Sequence, residues 1–307
     1  MRINRLPSFL LLSLFIISNL ACAAGRPRVV ASFSILGDLV TQIAGDKVDL
    51  TTLVGPNGDA HVFQPSPADA RKVAKADLLV VNGLEFEGWM TRLLESSSFN
   101  GVEVIASGGI EPLKNTEQDE DHDDAKEHEH EHGKFDPHAW NNVANVKIYV
   151  TNINRALGKI DPDNALYYSQ RTEAYLQQLD QLDAWVKDEI GKIPEQHRHI
   201  ITSHDAFGYL AAAYGLDCQA PLGMSTESEP SAADIAAIIR QIRKQHISAV
   251  FVENISDPRL IQQIAGETEA KVGGTLYSDA LSSVDEPAGT YVEFVRHNIN
   301  TIINALQ

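Results

Sequence analysis

The sequence predicts an α/β fold with two lobes, each built on a four-stranded, mainly parallel sheet flanked by helices, and one long helix joining them. Three observations lead to this fold class. Short runs of Val, Ile and Leu alternate with segments of helical period in the first half of the chain, the same alternation recurs in the second half, and a long amphipathic segment lies between the halves. Such alternation indicates parallel sheets, because each intervening helix returns the chain to the start of a new strand.

The first lobe is assigned to residues 25–160. Its expected strands are short, apolar and bounded by Gly, Pro, Asn or Ser: Arg28–Ser34, Val48–Val54, Asp77–Val81 and Val102–Ile105. Helices are expected between them, at Ile35–Ala44, Ser66–Lys75 and Gly88–Glu95. The second of these helices has a strong start, because Ser66 can cap the first turn, Pro67 fits the first helical position and Asp69 is an early acid.

The joining helix is assigned to residues 161–193. Its apolar residues recur at three- and four-residue spacing and so share one helical face: Leu176, Leu179, Leu182, Val186 and Ile190. Pro162 separates this helix from a preceding one, and Pro194 ends it. A helix from Asp163 to Lys192 would be about 43 Å long, which is enough to run along both lobes.

The second lobe is assigned to residues 194–307 and repeats the plan of the first. Its expected strands are His199–Ser203, Gly215–Ala220, Ser248–Glu253 and Ala270–Leu276. Its expected helices are Phe207–Tyr214, Ser231–His246 and Asp257–Ala265.

Residues 1–24 indicate a secretory signal peptide. Two arginines give a positive start, an apolar run from Phe9 to Leu20 follows, and small residues close it. The run is too short to span a bilayer. We therefore expect export to the periplasm, with lipid attachment through Cys22 as the alternative. Cleavage leaves Cys218 as the remaining cysteine, so no internal disulfide is expected.

The chain is strongly acidic, with a net charge of −17. Such a surface repels nucleic acid and attracts cations, so we expect no nucleic-acid partner. The charge is concentrated in residues 117–132, EQDEDHDDAKEHEHEH, which contain nine Asp or Glu, four His and one Lys. Because this stretch lacks an apolar period, residues 116–134 are expected to form a disordered loop. The loop histidines are candidates for auxiliary metal capture: His122, His128, His130 and His132.

Four side chains that can bind metal follow predicted strands at equivalent places. His61 follows the second strand, His138 the last strand of the first lobe, His204 the strand that starts at His199, and Asp279 the last strand. In parallel α/β sheets, ligands bind beyond the carboxyl ends of the strands, so all four side chains can project into one cleft between the lobes. Three imidazoles and one carboxylate are a tetrahedral set suited to zinc.

Two further carboxylates lie beside this set. Asp205 is adjacent to His204, and Glu253 ends a predicted strand. Either could accept the free ring N–H of a metal-bound histidine, although either could equally cap a helix.

The chain resembles the zinc- and manganese-binding solute-binding proteins of bacterial ABC importers, in the cluster with a rigid helical linker. The resemblance covers essentially all of the mature chain and rests on VVASFSILGDLVTQIAG, GPNGDAHVFQPSPADA, LLVVNGLEFEGWM, DPHAWNNVAN, TSHDAFGYLAAAYGL and GTLYSDALS. It implies that the metal ligands are His61 of Asp-x-His, His138 of Pro-His-x-Trp, His204 of Thr-Ser-His and Asp279 of Ser-Asp.

The resemblance also bears on the choice of metal and partners. Thr-Ser-His is similar to the zinc-binding branch, where the manganese branch has Thr-Ser-Glu, so Zn²⁺ is the expected ligand. The loop GDAHVFQPSP is more similar to the manganese or mixed branches, which leaves a Mn²⁺- or iron-binding protein of the same family as an alternative. The implied partners are a membrane permease and its ATPase, and a periplasmic zinc metallochaperone is a further candidate. We expect a monomer.

Other functions are compatible with the same residues. A periplasmic zinc buffer or an adhesin would need the same metal site without a transporter. A secreted zinc hydrolase would need an open coordination position and a general base, as in a His-Glu-x-x-His helix, and the sequence contains no such motif. We therefore expect a binding protein and not an enzyme.

Overall fold

Two parallel four-stranded sheets form the framework of the molecule in the computed structural model, which describes residues 25–115 and 133–307. The first sheet has the order β2-β1-β3-β4 and the second β6-β5-β7-β8, with every pairing parallel. The strands are β1 Arg28–Phe33, β2 Asp49–Val54, β3 Leu78–Val81, β4 Val102–Ile105, β5 His199–Ile201, β6 Asp217–Gln219, β7 Ala249–Glu253 and β8 Lys271–Leu276. The predicted fold class is confirmed.

The helices flank the two sheets and connect successive strands. Among the described residues they are α1 Ser34–Ala44, α2 Pro67–Ala74, α3 Met90–Ser97, α4 Val143–Ile160, α5 Ala165–Gly191, α6 Gly208–Tyr214, α7 Ala232–Gln245, α8 Arg259–Gly266 and α9 Tyr291–Leu306. The predicted capping serine is confirmed at Ser66, whose Oγ accepts from the backbone N–H of Asp69. None of the described helices is long and apolar enough to cross a membrane.

Strand β5 is shorter than predicted, and the reason lies in the next turn. It ends at Ile201 and not at Ser203, because the backbone N–H groups of Ser203 and His204 donate to Oε1 of Glu253 at 2.7 and 2.9 Å. These two N–H groups therefore take no part in the hydrogen bonds between strands. The side chain that ends β7 thus shapes the turn that carries His204.

The long helix α5 has 27 residues and packs against α1, α4 and α9. Its inward face is apolar and buried, with Leu179, Leu182, Val186 and Ile190 at most 1% exposed. A helix of this length extends about 40 Å. One apolar core includes residues of both sheets together with α4, α5 and α9, and a second, smaller core packs α7 and α8 against the second sheet.

Candidate metal centre

Three imidazoles and one carboxylate meet between the carboxyl ends of the two sheets. The four residues are His61, His138, His204 and Asp279, and one potential ligand atom from each lies within 4.8 Å of the others. The sequence predicted that these residues share one cleft, and the structure places them together. His138, His204 and Asp279 are fully buried, and the side chain of His61 is 6% exposed.

Parallel strand direction explains this meeting point. His61 lies in the loop after β2, His204 lies three residues after β5, and Asp279 lies three residues after β8. His138 comes from a short turn directly before α4, where Asn142 caps the helix by accepting from the N–H of Ala144. All four loops therefore open on the same edge of the sheets.

Four separations between the nitrogen and oxygen atoms of the cluster are close to the edge length of a tetrahedron around a small ion. Nε2 of His61 lies 3.3 Å from Nε2 of His138 and 3.1 Å from Oδ2 of Asp279. Nε2 of His204 lies 3.2 Å from Oδ2 of Asp279, and Nε2 of His138 lies 3.6 Å from the other oxygen, Oδ1. A zinc ion with bonds of about 2.0–2.1 Å would give edges of about 3.3–3.4 Å.

Neighbouring carboxylates fix which ring nitrogen faces the centre. Nδ1 of His138 lies 2.8 Å from Oδ1 of Asp136, which also accepts the backbone N–H of His138 at 2.9 Å. Nδ1 of His204 lies 2.6 Å from Oε2 of Glu253, a close ion-pair approach without good hydrogen-bond alignment. In both rings the carboxylate lies beside Nδ1, so Nε2 faces the centre of the cluster. A neutral imidazole can bind a metal through that nitrogen.

The site's charges are strongly coupled. Burial alone would raise the pKa of Asp279, but the His204 and His138 rings hold that pKa well below its usual range. Burial alone would lower the pKa of His204, but the carboxylates of Glu253 and Asp279 raise it well above the ordinary value. The two carboxylates therefore favour the protonated form of the His204 ring, and a bound cation would compete with that proton.

Several buried polar atoms at the centre lack a hydrogen-bond partner among the described residues: Nε2 of His204 and both carboxylate oxygens of Asp279. Such atoms are costly to bury unless something else satisfies them. These atoms belong to the same cluster, and a bound cation would satisfy them. Four side-chain ligands complete a tetrahedral shell, an arrangement suited to holding an ion.

Asp136 is the partner that the sequence analysis missed. The sequence feature that could have indicated this contact is the position of Asp136 two residues before His138, in Asp-Pro-His. Glu253 lies where the sequence analysis suggested, beside His204. Asp205 is not a member of the cluster, and its backbone N–H donates to Leu222 and Gly223. The predicted capture-loop histidines lie outside the described residues: His122, His128, His130 and His132.

Comparisons with known proteins agree with the fold and with metal binding. The profile of the ZnuA family, "Zinc-uptake complex component A periplasmic", matches residues 29–305. The manganese-binding lipoprotein MntA of Halalkalibacterium halodurans is 33% identical over 280 residues, 91% of this chain and 88% of that protein. The zinc-binding protein TroA of Treponema pallidum is 33% identical over 291 residues, 93% of this chain and 91% of that protein. The solved structure of TroA has a TM-score of 0.84 at 32% identity, and the match covers 92% of this chain and 99% of that chain.

The fold and these matches define a substrate-binding component of a metal importer. The chain belongs to the ZnuA family of periplasmic metal-binding proteins of ABC importers. Members of this family are transport proteins, and they work with a membrane permease and an ATPase. Relatives named for manganese and for zinc match at the same 33% identity, so the comparisons identify metal binding without choosing the metal.

Proposed function

We propose that this protein is the high-affinity zinc-binding component of an ABC transporter. It captures Zn²⁺ in the periplasm at a site formed by His61, His138, His204 and Asp279, and delivers the ion to the membrane permease. The observation that supports zinc most directly is the donor set of three nitrogens and one carboxylate, in which four separations between ligand atoms are 3.1 to 3.6 Å and all lie within 4.8 Å. These separations suit a small tetrahedral ion with bonds of about 2.0–2.1 Å.

Manganese is the second candidate, because the relative MntA is named for it. Mn²⁺ prefers oxygen-rich, octahedral surroundings, whereas this cluster offers mainly imidazole. The bidentate use of Asp279 would add one more oxygen. We therefore rank zinc first on the chemistry of the donors.

The acidic, histidine-rich stretch and the amino terminus complete the proposal. Residues 117–132 raise the local concentration of cations, and their histidines bind zinc weakly and pass it to the tight site. Residues 1–24 direct export and are removed, which yields a soluble periplasmic protein; a lipid on Cys22 is the alternative form. A periplasmic metallochaperone is a candidate donor of the ion.

Elemental analysis of the purified native protein, followed by competition titration of zinc against manganese, tests the proposal. We expect one tightly bound zinc per molecule and displacement of manganese by zinc. Replacing His61, His138, His204 or Asp279 singly with Ala should weaken zinc binding at least about tenfold, or about 1.4 kcal/mol. Wild-type affinity in any three of these variants, or tighter binding of manganese in the wild type, would contradict the proposal.

A further inference from the structure

The turn Asp136–Asn141, here called the His138 turn, forms hydrogen bonds with residues of the second lobe. The indole Nε1 of Trp140 donates to the backbone carbonyl of Ser278 at 2.9 Å, and the hydroxyl of Tyr291 donates to the carbonyl of Trp140 at 2.7 Å. Both bonds are buried, and Trp140 is fully enclosed. Because Ser278 directly precedes Asp279, Trp140 fixes the position of His138 relative to that carboxylate.

The two ends of the His138 turn are held in the same way. The amide Nδ2 of Asn141 donates to the carbonyl of Ala206, two residues after His204, at 2.9 Å. The hydroxyl of Tyr209 donates to the carbonyl of Asp136 at 3.0 Å. Both of these bonds are buried as well. The backbone around His138 is therefore linked to the neighbours of both His204 and Asp279.

The His138 turn is also fixed to the first sheet. Nδ2 of Asn82, at the end of β3, donates to the carbonyl of Pro137 at 2.9 Å, and Oδ1 of the same residue accepts from the hydroxyl of Tyr149 at 2.6 Å. Asn82 and Tyr149 are fully buried. Breaking this set of bonds would leave several buried polar groups unsatisfied, which is strongly unfavourable. His138, His204 and Asp279 thus stand on one rigid, buried frame.

The loop that carries His61 is held to the first lobe by a buried bond from Nε1 of Trp89 to the carbonyl of Ala60 at 2.8 Å. Its links to the second lobe are one backbone bond, from the N–H of Asn57 to the carbonyl of Leu281 at 2.8 Å, and side-chain bonds closer to the surface. Nδ2 of Asn57 donates to Glu286 at 3.1 Å and its Oδ1 accepts from Asn254 at 3.0 Å, both in exposed positions. Oγ1 of Thr226 donates to Asp59 at 2.6 Å in a partly buried position. Exposed hydrogen bonds of this kind exchange readily with water and contribute little to rigidity.

A cleft of about 670 Å³ leads from solvent to His61. Its walls include His61, Glu85, Phe86, Glu227 and Asp234, whereas His138, His204 and Asp279 do not line it. Within the described part of the chain, His61 is therefore the one member of the cluster that faces this opening. Acidic side chains along the walls favour the approach of a cation.

We propose that His138, His204 and Asp279 form a preformed three-ligand cup, and that His61 closes the cup after the metal enters and leaves first when it is released. This inference rests on the proposed function, because it assigns unequal roles to the ligands of that same site. The cup supplies two nitrogens and one carboxylate, enough to hold a zinc ion with an exchangeable fourth position. Movement of the His61 loop alone then connects the ion with the cleft.

The experiment is chemical rescue of ligand-deleted variants with millimolar imidazole. His61→Gly leaves a gap that borders the cleft, so added imidazole can reach it and serve as the fourth ligand. His204→Gly is the matched control, because its gap is fully buried and does not border the cleft. Zinc and Co²⁺ affinities of the wild type and both variants are measured with and without imidazole, and circular dichroism confirms that each is folded.

We expect imidazole to strengthen metal binding by His61→Gly at least about tenfold and to change its Co²⁺ absorption bands. The affinity of His204→Gly should not respond. If His61→Gly does not fold, His61→Ala is tested for the faster zinc dissociation and the same Co²⁺ response. Rescue of both variants, or of neither, would overturn the cup while leaving the zinc site of the wild type intact. Absence of zinc binding in the wild type itself would overturn the proposed function as well.

Discussion

Nδ1 of His204 lies 2.6 Å from Oε2 of Glu253, and both side chains are fully buried. The other carboxylate oxygen, Oε1, accepts the backbone N–H groups of Ser203 and His204 at 2.7 and 2.9 Å. One carboxylate thus orients the ring of His204 and also shapes the backbone beneath it. Nε2 of His204 has no direction left to face except the centre of the cluster.

Glu253→Gln should weaken zinc binding by about 10- to 100-fold, because the amide removes the negative charge that orients and polarises the His204 ring. Competition titration against a chelator measures the change. Asp217→Asn is a matched control, since Asp217 also pairs with a histidine nitrogen, Nδ1 of His199 at 2.7 Å, but lies outside the cluster. Equal losses in the two variants would show that Glu253 acts only on general stability.

Zinc binding should release about one proton at pH 7, and the proton should come from His204. The carboxylates of Glu253 and Asp279 raise the pKa of this ring well above the ordinary value, so we expect zinc to displace a proton from it. Affinity should then increase about tenfold per pH unit as the pH rises toward that pKa, and level off above it. Asp279 should not contribute, because its pKa is held well below the usual range.

Calorimetry in buffers of different ionisation enthalpy counts the released protons. Glu253→Gln removes one of the two carboxylates that raise the pKa of His204, so this variant should release fewer protons at the same pH. A zinc affinity that stays constant between pH 7 and 8, with no proton released in either buffer, would contradict the role given to His204.

His204→Glu should shift preference toward manganese, because it replaces a borderline nitrogen donor with a hard oxygen donor. The ratio of zinc to manganese affinity, measured by competition, should fall relative to the wild type. His199→Glu, a histidine replacement outside the cluster, should leave the ratio unchanged. An unchanged or raised ratio in His204→Glu would count against the importance of this ligand for selectivity.

Replacement of Thr116–His132 by two glycines should preserve the tight zinc site. The flanking segments are already held together, since Lys114 and Phe135 form an isolated antiparallel bridge and the N–H of Asn115 donates to the carbonyl of Lys134 at 3.1 Å. Loop-closure entropy changes only slowly with length, so the melting temperature of the zinc-bound form should be nearly unchanged. What should be lost is the set of weaker zinc equivalents seen in titration.

The same titration also tests the assignment of His138. If the shortened protein loses its tight site, histidines of residues 117–132 are ligands and His138 is not. If the weak equivalents survive, the proposed role of those residues in capture is wrong.

The sequence alone was enough to predict the two parallel sheets and the clustering of the four metal-capable side chains. Parallel strands end on one edge, so polar residues after them, such as His61 and Asp279, had to come close together. The contact between Asp136 and the ring of His138 was not predictable, because it depends on a turn whose shape is set by distant partners such as Tyr209 and Asn82.

One helix shows the limits of sequence-based prediction in a different way. Helix α9 was assigned no range, although Phe294, Val295, Ile299, Ile302 and Ile303 recur at helical spacing on its buried face.

The choice between zinc and manganese could not be predicted from the spacing of the ligands, because the same side chains can bind either ion. That choice depends on bond lengths and coordination number in the occupied site.

X-ray absorption spectroscopy of the zinc-loaded protein tests the central claim most directly, because it reports the number, type and distance of the ligands. The structure predicts four nitrogen or oxygen ligands at about 2.0–2.1 Å, with the scattering of three imidazoles and no sulfur. The His61→Ala variant should show one imidazole fewer. A shell of five or six oxygen-rich ligands, or one with an unchanged imidazole count in that variant, would contradict the site formed by His61, His138, His204 and Asp279.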